Sequence, residues 1–214
     1  MQATFWDSPY FYWPIYQPHG FCRTAQLTLS KFSAKSAIRR SFDIDEGLTK
    51  IVDMDRGYIK TRYVCDNGKE LIYYTTHMSA YSSDPSTALN QTEKLANDMA
   101  QEYASGNYCI CGADFNKDVT LGTSIFNEGV SAGESSFPVR YLEGTGISLI
   151  NCVDNAHPVA TCRSAGVNFD ECDDFKAIDG FLASDNIEIV SKNVIDENFK
   201  NSDHNPVQIT FRLR

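Results

Sequence analysis

Four short stretches set acid, amide and imidazole groups where apolar runs end. They are "TTHMSAY" with His77, "CICGADFN" with Asp114 and Asn116, "KAIDGFLAS" with Asp179, and "NSDHNPV" with Asp203 and His204. Carboxylates hold hard cations or take a proton from water, and an imidazole carries charge or a proton near neutral pH. Each stretch alone has a plainer reading. A histidine at a strand end is more often a satisfied structural residue. An aspartate in "AIDGF" more often bonds backbone amides at a bend, and the acid–histidine pair before the last strand could simply cap a turn. The alternative is one site assembled from several strand ends.

The elements that would position these groups are mostly strands. "YIKTRYVC" (58–65) and "KELIYYTTHM" (69–78) flank Asp66-Asn67-Gly68, and Asn and Gly accept the positive φ of a tight hairpin turn. "STALNQTEKLANDMAQEYASG" (86–106) carries Leu89, Thr92, Leu95, Ala96, Met99 and Tyr103 on one helical stripe. Asp84, Ser86 or Thr87 would cap its start and Gly106 its end. "TAQLTLSKF" (24–32), "NYCICGADF" (107–115), "GISLINCV" (146–153), "FKAIDGFLAS" (175–184), "IEIVSKNVI" (187–195) and "PVQITFRL" (206–213) read as further strands. Residues 116–145 read as a long loop with at most a short helix near 122–128, and long loops in compact domains are often functional. "IRRS", with Arg39 and Arg40, reads as a solvated pair. Many strands, one strong helix and hairpin connections predict a layered α+β domain, with residues 1–214 forming a single domain.

Composition narrows the function. The 214 residues are 42% hydrophobic and 12% aromatic, enough for a folded core. The net charge of −9 disfavours a passive nucleic-acid binder, whose phosphate contacts come from Lys and Arg. It leaves room for an enzyme that meets phosphate with a metal ion and a local basic group. The seven cysteines are odd in number and irregularly spaced, without a Cys-x-x-Cys pair, so neither a disulfide framework nor a zinc site is expected. Cys109 and Cys111 would share one face of a strand. No apolar run approaches the roughly 20 residues of a membrane span, and the N-terminus lacks the pattern of a secretory signal. A soluble protein follows as the expectation, with the unpaired cysteines favouring the cytoplasm.

Taken in order, His…"GADFN"…"ID"…"SDH" resembles the endonuclease/exonuclease/phosphatase superfamily, to which deoxyribonuclease I belongs. "THMSAYSSD" followed by a helix is similar to that family's central histidine region, and "AQLTLSKF" to one of its strands. The usual "GDFN" here carries one extra residue between Gly112 and Asp114. The resemblance runs from about residue 24 to the end. It implies a deoxyribonuclease I-like four-layer α/β/β/α sandwich with mixed, largely antiparallel sheets. It implies hydrolysis of a phosphodiester or phosphomonoester with Mg²⁺ or Mn²⁺. Asp114 would orient or deprotonate the attacking water, and Asn116 would hold that water or a phosphate oxygen. His204 would meet the phosphate or act in proton transfer, with Asp179 on the far side of its ring, fixing its tautomer and favouring the cation. Asp203 would sit by the metal, and His77 would contact the phosphate or help the leaving oxygen. Arg56 and Tyr81 would bind substrate.

The family's Asn-bearing first strand and its metal-binding Glu strand have no match here, since Glu46 and Glu70 lie in other settings. The expectation is therefore an N-terminally incomplete family domain with a weakened metal site. A nuclease, a phospholipid phosphodiesterase or a small-molecule phosphatase all fit, whereas "DDFKAIDGF" departs from the inositol-polyphosphate branch. The partner is the phosphate-ester substrate. No stable protein partner is implied, and a monomer is expected. The competing expectation is a non-catalytic relative acting as a binding module.

Overall fold

The computed structural model describes residues 10–12, 25–43, 56–79, 85–123, 125–127, 136–164 and 172–214. Its centre is the predicted hairpin. Strands β4 (Gly57–Val64) and β5 (Glu70–His77) pair antiparallel from Tyr58↔Thr76 to Val64↔Glu70. Gly68 closes the turn at φ 79°, a backbone state that costs other residues strain. Helix α1 (Pro85–Ala104) then returns the chain to β6 (Tyr108–Asp114), which lies parallel to β5. A parallel pair needs such a crossover because no tight turn can join it. Gly106 ends the helix at φ 87°. Flanking strands β3 (Ser36–Ser41), β7 (Ile147–Ile150) and β10 (Asp179–Ser184) complete a six-stranded sheet in the order β3-β4-β5-β6-β10-β7. Only the β5–β6 pair in it is parallel.

Side-chain alternation along the strands builds two cores. Ile72, Tyr74, Cys109 and Cys111 point to one face and pack with Leu95, Ala96 and Met99 of α1, all completely buried. The shared face expected for Cys109 and Cys111 is this one. On the other face, Tyr108, Ile110 and Ala183 meet Ile187, Ile189, Ile209 and Phe211. These belong to the β11 (Ile187–Val194) and β12 (Val207–Leu213) hairpin. A second ribbon, β1 (Tyr10–Tyr12) with β2 (Thr28–Ser30), joins this layer, where Thr28 and Thr75 share a 2.9 Å hydroxyl bond. Covering β6 on both sides explains its unbroken apolar run.

The result is the layered α+β sandwich with mixed sheets that the sequence predicts. The described residues supply one helical layer, the central sheet and a second strand layer. Among them, no helix is long and apolar enough to cross a membrane.

Several boundaries differ from the sequence reading. "FKAIDGFLAS" divides, because Phe175–Lys176 (β9) pairs with Cys162–Arg163 (β8), and the chain changes sheets at Ala177–Ile178 before β10. Among the described residues of the run 24–32, strand β2 covers Thr28–Ser30. The described residues of 116–145 include two short 3₁₀ turns, Ile125–Asn127 as expected and Val139–Leu142 besides. "SAIRRS" is a strand that the sequence reading does not assign, and its arginines are solvated as expected, with Arg40 exposed and Arg39 half-buried. Its side chains are mostly exposed because it is the sheet edge, which erases the apolar alternation that marks a strand.

Beneath α1 lies a polar network that the sequence does not announce. Lys60 on β4 is buried and pairs with Asp98 and Glu102 of the helix. Tyr58 and Tyr74 donate to Asp98 at 2.7 and 2.8 Å, and Arg62 joins Glu102 to Glu70. Satisfied on all sides, such a network fixes how the helix seats on the sheet.

Candidate active site

Register brings three of the predicted residues into one row. His77 ends β5 and Asp114 ends β6, and the two are paired across the parallel ladder. Asp179 is the first residue of antiparallel β10, and it pairs with Asp114 on the other side. Adjacent strands stand about 4.8 Å apart, so side chains in one row reach each other. The sequence places Asp179 inside a strand. The sheet change at Ala177–Ile178 instead puts it at the strand's start, and only there can it face Asp114.

His204 enters from the segment before β12. Its Nδ1 lies 2.9 Å from Asp179 Oδ2, and its Nε2 lies 3.7 Å from Asp114 Oδ2. On the opposite side of Asp114, His77 Nε2 lies 3.3 Å from the same Oδ2. One carboxylate oxygen therefore stands between two imidazoles.

The loop after β6 holds Asp114 in place. Asn116 sits at φ 50°, a left-handed conformation that asparagine tolerates. Its backbone N–H donates to Asp114 Oδ1 at 2.8 Å, and its side-chain Nδ2 donates to the Met78 carbonyl at 2.8 Å. Asn116 thus straps the ends of β5 and β6 together, and one amide N–H of the side chain is spent doing so. Downstream, buried Asp118 accepts from Thr120 N–H at 2.7 Å and Gly122 N–H at 2.6 Å, which shapes the turn.

The charges are uneven. Burial, and then the neighbouring Asp179, push the Asp114 carboxyl up to about 6, against the opposing pull of the Asn116 N–H, His204 and Arg56. For His204, burial works against the cation, but the hydrogen bond and charge of Asp179 outweigh it and hold the imidazolium well above its usual range. His77 goes the other way. Partial burial, then the charge of Arg56 and then that of His204 depress it, so it is neutral at pH 7. Arg56 immediately precedes β4. Among the described residues its buried Nε has no hydrogen-bond partner. A buried donor without a partner is costly, which makes this guanidinium a natural place for an anion.

Not every predicted residue joins the group. Asp203 is half-buried, with its Oδ1 3.5 Å from Ser202 Oγ, and its carboxylate is not part of the Asp114–Asp179–His204 cluster. Tyr81, along with Glu46, Asp84, Cys22 and His19, lies outside the described residues. The six described cysteines are free thiols. One of them, Cys162, forms a backbone bridge with His204 while its thiol donates to the Arg163 carbonyl at 3.3 Å, and nothing in its spacing marks it for that place.

No family model matches the chain, and no curated protein does. Solved structures do. An endonuclease/exonuclease/phosphatase protein from Beutenbergia cavernae superimposes with a TM-score of 0.66 over 95% of this chain, at 13% identity. The chain has the endonuclease/exonuclease/phosphatase fold. The same deoxyribonuclease I-like architecture recurs in ANGEL2, a 2',3'-cyclic phosphatase, with a TM-score of 0.62 and 13% identity over 95% of this chain. It recurs again in a mannosyl-6-phosphatase from Bacteroides thetaiotaomicron, with a TM-score of 0.56 and 13% identity over 96% of this chain. The chain spans 53% of the Beutenbergia protein, 74% of ANGEL2 and 78% of the mannosyl-6-phosphatase.

Within this fold the donor set can be tested against a metal. Asp114, Asp179 and His204 each offer one ligand atom, all within 4.8 Å of one another. A hard cation such as Mg²⁺ takes oxygen ligands, needs few carboxylates and completes its shell with water and substrate phosphate. The two carboxylates fit that demand. The imidazole does not: a hard cation prefers oxygen, and Asp179 holds His204 as the imidazolium, which has no lone pair to offer.

Proposed function

We propose that this chain is a phosphoesterase domain, formed by residues 1–214 as one unit, that hydrolyses a phosphodiester or phosphomonoester with Mg²⁺ or Mn²⁺. The observation that carries the reading is the convergence of His77, Asp114, Asp179 and His204 on a single rim. Phosphoryl transfer requires positioned groups and charge stabilisation more than covalent chemistry, and this rim offers both.

The roles follow from the charges. Asp114, poised near 6, is a carboxylate at neutral pH and accepts a proton from the attacking water. The Asn116 N–H and the His77 Nε2 fix its two oxygens. His204, held cationic by Asp179, faces the phosphate and stabilises charge as it develops. Arg56, whose charge acts on both Asp114 and His77, supplies a second cation for the phosphate. Neutral His77 contacts the substrate on the leaving-group side. Tyr81 is a further substrate contact, as the family resemblance implies. The metal would be held at the carboxylate end of the rim by Asp114 and Asp179, with Asp203 next along the chain from His204. When bound there, it would neutralise charge on the phosphate. The phosphate ester is the partner, and the chain acts as a monomer.

The test is hydrolysis of bis-p-nitrophenyl phosphate and p-nitrophenyl phosphate with Mg²⁺ or Mn²⁺, comparing the wild type with His204→Ala. Metal-dependent turnover that the variant loses is the expected result. A folded wild type with no turnover on either ester would overturn the proposal.

A further inference from the structure

The His204–Asp179 pair is assembled from two segments that are distant in the chain, and a third segment runs between them. Thr161, which belongs to none of the motifs, is completely buried there. Its N–H donates to the Lys176 carbonyl at 2.9 Å. Its hydroxyl oxygen accepts the N–H of Ile178 at 2.9 Å and the N–H of Asp179 at 3.1 Å. Its carbonyl accepts the N–H of Asn205 at 2.8 Å. Asn205, only 2% exposed, sends its side-chain Nδ2 to the neighbouring Ala160 carbonyl at 3.0 Å. Cys162 bridges His204, and the Arg163 N–H donates to the Asp203 carbonyl at 2.9 Å. One edge of residues 160–163 therefore grips the start of β10, and the other grips residues 203–205.

We infer that Thr161 is a positioning residue for the proposed phosphoesterase site, setting the separation at which the Asp179 carboxylate meets the His204 imidazole. The inference rests on that functional reading. The hydroxyl matters because the turn from β9 into β10 leaves two adjacent N–H groups, those of Ile178 and Asp179, pointing at one place. A side-chain oxygen can accept both, and an alkyl group can accept neither. Threonine adds a stiff β-branched χ1, which keeps that oxygen in one location. Since the same residue's carbonyl holds the backbone beside His204, its placement is shared by both members of the pair. A displacement of about 1 Å at a catalytic group costs on the order of 100-fold in rate.

The experiment compares Thr161→Val, an isostere without the oxygen, with Thr161→Ser, which restores it. Two readouts are taken. One is kcat and KM per folded molecule on bis-p-nitrophenyl phosphate. The other is the low-field proton resonance of the His204 Nδ1–H, assigned by its disappearance in Asp179→Asn. Thr161→Val should lose about 10–100-fold in kcat with KM little changed, and its Nδ1–H resonance should shift or broaden. Thr161→Ser should recover both. A lower melting temperature for Thr161→Val with unchanged kcat and resonance would reduce Thr161 to a structural residue and overturn the inference. If Thr161→Val does not fold, hydrogen exchange in the wild type decides. Amides of Ile178, Asp179 and Asn205 protected to the level of global unfolding support the clamp, and exchange by local opening overturns it. If the wild type hydrolyses nothing, the functional reading fails, while the resonance and exchange measurements still rule on Thr161.

Discussion

Replacing Asp114 by asparagine should abolish hydrolysis and at the same time stabilise the fold. Its side chain is only 15% exposed and stands in register with a second carboxylate, Asp179. The folded state therefore favours the protonated form, moving the group from 3.8 to about 6. A difference of about 2 units corresponds to about 3 kcal/mol at 1.36 kcal/mol per unit. Because the penalty is shared with Asp179, about 1–3 kcal/mol is the expected gain. Asparagine keeps an oxygen for the Asn116 N–H and removes the charge. The sign follows from linkage. Below pH 3.8 both folded and unfolded states carry the proton, and no penalty exists. Between 3.8 and about 6 the unfolded chain ionises first, so the wild type loses stability as pH rises. Above about 6 the penalty is complete and constant. Asp114→Asn should thus melt about 3–10 °C higher than wild type at pH 7.5 and show little advantage near pH 4. Thermal unfolding in EDTA at both pH values measures this without interference from a bound cation. A variant that melts lower than wild type at pH 7.5, or whose advantage is the same at both pH values, would refute the reasoning.

Four further outcomes are expected. Asp179→Asn removes the charge that sustains the His204 cation, so the alkaline limb of the kcat/KM profile should move down by about 1–2 units, the equivalent of a charge-assisted hydrogen bond. An unmoved limb would show that His204 does not act as the cation. In the wild type, the acid limb should rise through about pH 6 as Asp114 ionises. Arg56→Ala should raise KM for a phosphate ester about 10–100-fold, with partial recovery in Arg56→Lys. Gly68→Ala should cost about 1–2 kcal/mol in urea unfolding, since alanine meets open space there but is strained at φ 79°.

The parts of the fold with strong local signals were legible beforehand. The Asp-Asn-Gly turn announced β4 and β5, and the stripe of Leu95, Ala96 and Met99 announced the buried face of α1. The four polar strand ends announced the rim, because a polar group after an apolar run is where a buried strand reaches water. What stayed hidden depends on neighbours distant in the chain. β3 carries Arg39 and Arg40 on an exposed edge, so its strand character comes from pairing with β4 and not from its own pattern. Lys60 reads as a surface residue until Asp98 and Glu102 arrive from the helix. Cys162 and Thr161 have no motif, and their places beside His204 and Asp179 exist only after β8 and β9 pair. Asp203 shows the converse. Adjacency to His204 in sequence did not bring its carboxylate into the cluster, because neighbours along an extended segment point apart.

The single row that joins His77, Asp114 and Asp179 also bears on how the protein forms. Its members lie on strands separated by a helix and a long loop, and His204 arrives only with the final strand. No single element or hairpin of the chain contains the site. Closing those long intervals costs chain entropy before any contact rewards it, so the rim belongs to the slow, late stage of folding. The hairpin and the helix can appear early without it. Return of hydrolysis after dilution from denaturant should therefore lag the helical signal and coincide with burial of Cys109 and Cys111, making turnover a clock for the last closure of the sheet.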